Sequence, residues 1–406
     1  MKSNKMNITF IGGIFPPQNI DFFKEHSKGI FQYAADVMQK NIIRGLQNNT
    51  HQKLNIITLP FVGTFPNSCD LKYIHKHKFD SDVFSGTQVG FNNTKFINEF
   101  SKYKALKKEI IEQFSINKKP LHAVVIYGMF PFFLKITSFI KKKFPDVRIC
   151  MIVPDLPHLM GGDNTKLHIK MYNRYIKGIV DNNISNVDAF VFISKYMEDY
   201  LKTSKPYDIL EGIYNTDEKE IVAIKEISPT IFYSGTLALR YGIEKLLKSF
   251  SLIENPELRL WICGAGDGEE KVKEYAEKDS RIIFKGQLDR LEILKLQRKA
   301  TILINPRDAK EDFTKYSFPS KTIEYLSSGT PTILYKLAGI PEEYYNYCFI
   351  CEENGTEGLK NLIVKVLELP EEIRNNIGEK AKSFIITQKN ETLQSLKIIN
   401  LINRLS

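Results

Sequence analysis

Short apolar runs alternate with amphipathic stretches along this chain, and the alternation comes in two series. In the first, strands are expected at residues 7–11, 55–60, 123–127, 148–153 and 189–193, with helices near 32–47, 95–113, 132–143 and 165–182. In the second, strands are expected at 230–234, 259–263, 282–285, 301–304, 332–335 and 348–351, with helices at 242–253, 268–278, 289–299, 320–328 and 355–367. Strand, crossover helix and strand again make the βαβ unit, and its repetition builds a parallel sheet with helices on both faces. Two series therefore predict an α/β chain of two Rossmann-like, doubly wound domains. A polar stretch at 202–229, flanked by Ser204-Lys205-Pro206 and Ser228-Pro229, separates them. The expected division is 1–205 and 206–385. A last helical stretch at 379–404 has no strand after it, and 386–406 is read as a helix free to cross back to the first domain.

Two facing domains of this kind place a ligand cleft outside the carboxyl ends of their strands, so the loops there are the ones to search. Gly12-Gly13-Ile14-Phe15 follows the first strand, Gly235-Thr236-Leu237 opens the second half, and Gly264-Ala265-Gly266-Asp267-Gly268 follows Trp261-Ile262-Cys263. Each can bring backbone N–H groups close to a phosphate, or use glycine simply for a tight turn. Residues 315–334 read as a loop, a helix capped by Ser320, a stop at Gly329-Thr330-Pro331 and a strand. Helix-start N–H groups suit a phosphate, and Glu324, one turn in, suits a sugar hydroxyl. Ser-x-x-x-Glu at a helix start is also ordinary capping chemistry.

Composition limits the alternatives. A hydrophobic share of 43% and a charged share of 26% over 406 residues fit a globular protein, and no apolar run reaches the ~18 residues of a spanning helix. The first residues run into a strand without a leader's apolar core, so a cytoplasmic protein is expected. Five cysteines, an odd and scattered set, argue against a disulfide framework; Cys348 and Cys351 form a lone C-x-x-C read as buried strand residues. The net charge of +10 is one-sided: residues 1–200 hold 27 Lys and Arg against 16 Asp and Glu, and 101–150 alone hold 11 against 3. That asymmetry favours an anionic partner surface, and lipid headgroups fit better than nucleic acid because no recognition helix, zinc finger or basic-aromatic platform is evident. In the basic helix at 132–143, the stripe Phe132, Phe133, Ile136, Phe139 and Ile140 is read as core and Lys141–Lys143 as solvated.

The order of motifs carries a resemblance. Tyr-Ser-Gly-Thr-Leu at 233–237, Arg240 to Leu247, Leu-Trp-Ile-Cys-Gly-Ala-Gly at 260–266, Phe-Lys-Gly-Gln-Leu at 284–288, Ile-Leu-Ile-Asn-Pro-Arg at 302–307 and the 315–334 stretch together resemble the donor domain of glycosyltransferase family 4. The family is retaining and has the GT-B fold. The first half agrees through Gly12-Gly13, Val-Pro-Asp-Leu-Pro at 153–157 and Phe-Ile-Ser-Lys-Tyr-Met at 192–197.

The resemblance implies a glycosyltransferase that moves a hexosyl unit from a nucleoside-diphosphate sugar to an acceptor. It implies no essential metal or cofactor, and no Asp-x-Asp motif is positioned for Mg²⁺. By position, Glu324 is the second glutamate of the Glu-x7-Glu signature and binds the ribose hydroxyls. The first falls at Tyr316, a departure, with Glu311 and Asp312 just upstream as candidate replacements. The family's diphosphate-clasping Arg and Lys fall at Thr236 and Tyr241, also changed; Arg240 and Lys245 are the expected substitutes, with Arg307 and Lys321 as further candidates. Some cation is required because the leaving diphosphate gains charge as the glycosidic bond breaks. Asp155 faces either the acceptor or the reacting sugar, or fixes its loop, and His158 is placed to relay a proton. The basic first domain suggests a lipid-linked saccharide acceptor in surface-polysaccharide synthesis on the inner face of the membrane, with no nucleic-acid partner. A nucleotide-sugar epimerase on the same architecture and a non-catalytic partner subunit are the alternatives.

Overall fold

The computed structural model of the protein describes residues 6–29, 31–116, 122–156, 167–218, 220–309 and 312–405. The chain forms two compact units, Met1–Ile213 with Glu391–Ser406, and Tyr214–Asn390.

The first unit holds strands β1 (Ile8–Gly12), β2 (Asn55–Thr58), β3 (Tyr73–Ile74), β4 (His77–Asp80), β5 (Ser85–Gln88), β6 (Phe91–Asn92), β7 (Ala123–Tyr127), β8 (Arg148–Val153), β9 (Ala189–Phe192) and β10 (Tyr207–Ile209). Its helices are α1 (Ile20–Glu25), α2 (Tyr33–Thr50), α3 (Asn98–Ile116), α4 (Pro131–Lys143), α5 (Leu167–Asn183) and α6 (Tyr196–Leu201). The sheet runs β10-β9-β8-β7-β1-β2-β5-β4, parallel except for β4, which pairs antiparallel with β5. Every residue of β1, β7 and β9 is buried. That is why they read as unbroken apolar runs rather than alternating ones. On α4, Phe132, Phe133, Ile136 and Ile140 are buried, as the core reading of that helix requires.

Two features of this unit differ from the sequence reading. β10 pairs in parallel with β9, which carries the first unit to Ile213 rather than 205. The excursion β3–β6 is not among the strands expected from the sequence, because its strands are short and His75, Lys76, His77 and Lys78 interrupt any apolar pattern.

The second unit contains β11 (Thr230–Ser234), β12 (Arg259–Cys263), β13 (Ile282–Phe284), β14 (Ile302–Asn305), β15 (Thr332–Tyr335) and β16 (Phe349–Cys351). Its helices are α7 (Ile243–Ser251), α8 (Glu269–Lys278), α9 (Arg290–Lys299), α10 (Lys321–Ser327), α11 (Thr356–Glu368) and α12 (Glu371–Gln388). The order β13-β12-β11-β14-β15-β16 is parallel throughout. The chain winds outward from β11 through β12 to β13, then returns to the other side of β11 for β14. The switch point is therefore between β11 and β14, where the loops after the two strands diverge and leave room for a ligand. Cys348 and Cys351 are free thiols, with hydrogen bonds to the carbonyls of Tyr344 and Glu353.

The terminal stretch read as one helix is two. It breaks after Gln388, where the Lys389 carbonyl accepts from the Tyr214 N–H at 2.8 Å, and resumes as α13 (Glu391–Asn403). α13 belongs to the first unit. It contributes Ile398, Ile399, Leu401 and Ile402 to the same core as β1, β2 and β7. It approaches α2 so closely that a Cβ on Gly45 would sit 1.9 Å from the Glu391 carbonyl oxygen.

Candidate active site

At the switch point of the second unit, Gly242 has φ +86, and a Cβ there would lie 2.4 Å from the Pro306 carbonyl oxygen. Only glycine permits both the left-handed turn and this approach, and the loops after β11 and β14 are thereby brought together. Two arginines meet there. The Arg307 guanidinium carbon stands 4.9 Å from the Tyr241 ring centroid and 4.7 Å from that of Phe313. The Arg240 carbon stands 5.1 and 5.5 Å from the same two rings. Arg307 also donates to Ser317 Oγ at 2.9 Å, and among the described residues its buried Nε has no partner. Neither guanidinium makes an ion pair among the described residues, because the adjacent Asp308 pairs with Lys245 at 2.8 Å. Burial, together with the positive charge of Arg240 and against the opposing pull of Tyr241, lowers the Arg307 guanidinium from its usual value. Two cations held against shared rings, with no neutralising carboxylate among the described residues, form a site for an anion.

Lys245, expected beside Arg240, is committed elsewhere. Its ammonium pairs with Asp308 and lies 3.8 Å from the Tyr335 ring centroid, with only 12% of the side chain exposed. Being on α7, it points from the helix onto the sheet, toward the β14 loop and β15, and fastens those elements.

Glu324 sits on α10 immediately beyond the β14 loop. Its Oε1 accepts from Lys321 Nζ at 2.7 Å and from Gln297 Nε2, and its Oε2 faces Arg290 at 3.4 Å. Burial pushes this carboxyl up, but Lys321, Arg290 and Gln297 together outweigh it and hold Glu324 below the usual carboxylate range. The site thus contains a fixed, ionised acceptor. Arg290 is itself braced by Glu218 at 2.7 Å. The stem of Lys321 passes the β11 loop, where its Cε would be 3.8 Å from a Cβ on Gly235. Tyr325 Oη ties α10 to β11, accepting from Ser234 N at 2.8 Å and donating to Ser234 O at 3.0 Å.

Several expected roles are altered by local geometry. Ser320 is exposed and makes no side-chain cap, because its backbone is already helical (φ −54, ψ −28) and its hydroxyl is not turned back toward the first-turn N–H groups. The N–H groups of Gly235 and Gly264 are spent on the carbonyls of Cys263 and Gly286, and that of Gly13 on Gln39 Oε1. Gly12 and Gly13 are buried in the first unit. These glycines serve close packing of loops, and the charged side chains carry the polarity of the site. Tyr316 is half-buried, with Lys315 over its ring at 5.0 Å. Glu311 and His158 lie outside the described residues, as does the side chain of Asp312.

In the first unit, Asp155 follows β8. Its outer edge meets solvent, yet the protein around it removes enough water to push the carboxyl up to about 6. Asp155 in turn raises the buried hydroxyl of Tyr127 at the end of β7, after the larger effect of burial. Among the described residues no cluster of His, Cys, Asp and Glu could hold a metal ion, and no helix is long and apolar enough to cross a membrane.

Sequence reasoning missed Arg290, Gln297, Tyr233, Phe313 and Ser317. Tyr233 is buried, donates to the Thr236 carbonyl at 2.8 Å and lies near Tyr241 and Arg307. Arg290 and Gln297 share α9 with the N-cap Asp289, and the only local signal there is that of a helix start.

Residues 215–384 match the family model described as glycosyl transferases group 1. No protein of curated function matches the chain by sequence. Among solved structures, the chain is similar to the sucrose-phosphate synthase of Thermosynechococcus elongatus (15% identity, 98% of this chain and 99% of that one, TM-score 0.65). It is also similar to a glycosyltransferase from Rickettsia africae ESF-5 (14%, 99% and 99%, TM-score 0.61) and to Anabaena Alr3699/HepE in complex with UDP (11%, 98% and 100%, TM-score 0.62).

Proposed function

We propose that this chain, whose residues 215–384 match the glycosyl transferases group 1 model and whose fold is that of the GT-B glycosyltransferases it resembles, transfers a hexosyl unit, with retention, from a nucleoside-diphosphate sugar to a lipid-linked saccharide in surface-polysaccharide synthesis. The observation that carries the donor half is the convergence of Arg240 and Arg307 on Tyr241 and Phe313 without an ion pair among the described residues. A diphosphate supplies the missing negative charge, and the guanidinium fork suits its oxygens bidentately. Glu324, held ionised, accepts from the ribose hydroxyls. As the glycosidic bond breaks, charge accumulates on the leaving diphosphate, so cations fixed beforehand are more useful than mobile ones. The rings and Ser317 fix Arg307 in this way.

The Anabaena protein of similar fold is in complex with UDP, which makes uridine diphosphate the first nucleotide to try. The acceptor half rests on the excess of basic residues in the first 200 positions. The test is to incubate the protein with a panel of UDP-, GDP- and ADP-sugars, with and without lipid-linked saccharide, and to identify products by mass spectrometry. Transfer of sugar with release of nucleoside diphosphate supports the reading. Interconversion of nucleotide sugars without any acceptor would instead show an epimerase.

A further inference from the structure

The first unit displays large apolar side chains that its own core leaves uncovered, and they cluster with lysines. At the start of α3, Phe96 is 89% exposed, Ile97 49% and Phe100 59%. Phe96 has a backbone φ of +71, a left-handed conformation that disfavours any residue bearing a Cβ. On α5, Met171, Tyr172 and Tyr175 are 66%, 55% and 52% exposed. α4 joins the two helices into one face. Lys102 of α3 lies 5.2 Å from the Phe132 ring centroid, and Lys135 of α4 donates to Tyr175 Oη at 3.2 Å. Glu99 lies between them, near Lys102, Lys135 and Tyr172.

The charge on this face is predominantly positive. Residues 95–108 carry Lys95, Lys102, Lys104, Lys107 and Lys108 against Glu99 alone, and 167–178 carry Lys170, Arg174 and Lys177 with no acid. Glu99 is half-buried among lysines and does little to screen them. Lysine ammonium groups stand over the exposed rings, Lys95 Nζ 5.3 Å from the Phe96 centroid and Lys104 Nζ 4.4 Å from that of Phe100. An exposed apolar cluster rimmed by cations matches the boundary of an anionic bilayer, where rings enter between headgroups and ammonium groups stay with the phosphates.

We propose that the α3–α5 face of the first unit, led by Phe96, Phe100, Tyr172 and Tyr175, docks the enzyme on an anionic lipid bilayer. The lipid-linked acceptor reading is the purpose this serves, and the inference rests on that reading for its purpose alone. The cluster favours a bilayer over nucleic acid because Ile97 and Met171, exposed among the rings, present apolar surface on which no base can stack.

The test is co-sedimentation of the whole protein with vesicles of phosphatidylcholine alone or mixed with phosphatidylglycerol. The mixed vesicles are expected to bind the protein and the neutral ones to leave it in the supernatant. Lys104→Ser with Lys108→Ser should weaken binding by at least about tenfold, given roughly fivefold per surface charge removed, and Phe96→Ser with Phe100→Ser, which withdraws two rings from the bilayer, should weaken it by about tenfold or more. All four sites are solvent-facing, and an unchanged melting temperature shows that the variants fold. Absence of binding to mixed vesicles, or binding that both double variants retain, overturns the proposal. Capture of a single-stranded oligonucleotide in place of vesicles overturns it in favour of nucleic acid. UDP affinity measured on the same samples separates the two readings, since a docking failure leaves it intact.

Discussion

Glu324 is the residue on which sequence and structure most nearly agree. Its position one turn into a helix after a parallel strand is legible in the sequence, because strand, loop and helix follow from local pattern alone. The three groups that keep it ionised are not all legible: Lys321 is three residues away, whereas Arg290 and Gln297 come from α9 and reach it only through the fold. Glu324→Ala should reduce affinity for nucleoside diphosphates by about 10- to 100-fold, the ~1.5–3 kcal/mol of a hydrogen bond to a charged group. Titration calorimetry measures this. Asp155 offers a test by pH. With its carboxyl raised from 3.8 to about 6, the stability it lends the first unit is complete below pH 3.8 and lost as pH rises through about 6. If its ionised form serves the reaction, the rate should rise with pH through an acid limb near 6, and Asp155→Asn should abolish that limb. An unchanged limb in the variant assigns Asp155 to its loop.

Elements were legible where burial on both faces imposes an apolar run, as in β1, β7, β11 and β14. β10 was not, because its three residues are only half-buried and give no pattern. The glycine loops were legible as loops but not in purpose: sequence cannot say that Gly13 donates to Gln39, which is contributed by α2. Nor does spacing reveal that Lys245 pairs with Asp308, 63 residues away. The join between α10 and β11 depends on one hydroxyl. Tyr325→Phe leaves the buried Ser234 N–H and carbonyl without this partner, and should cost about 1–3 kcal/mol in urea unfolding. A midpoint equal to that of the wild type would show that these groups find other partners.

At the scale of the molecule, the chain leaves the first unit at Ile213 and returns to it at Glu391. Removal of residues 391–406 takes Ile398, Ile399, Leu401 and Ile402 from the core of the first unit. Proteolysis should then attack residues 1–213 selectively, while the second unit keeps its nucleotide affinity; equal sensitivity of both units would contradict this. The central claim is that Arg240 and Arg307, which lie outside the family's two diphosphate-clasping positions at Thr236 and Tyr241, hold the donor diphosphate. Its most direct test is titration of UDP, GDP and ADP into wild type, Arg307→Ala and Arg307→Lys, with Arg240→Ala as the exposed comparison. We predict that the wild type binds at least one of them, that Arg307→Ala loses about tenfold or more, and that Arg307→Lys restores little because an ammonium lacks the planar fork. Arg240→Ala should lose less. Wild-type affinity in Arg307→Ala, or no binding of any nucleoside diphosphate by the wild type, would contradict the account.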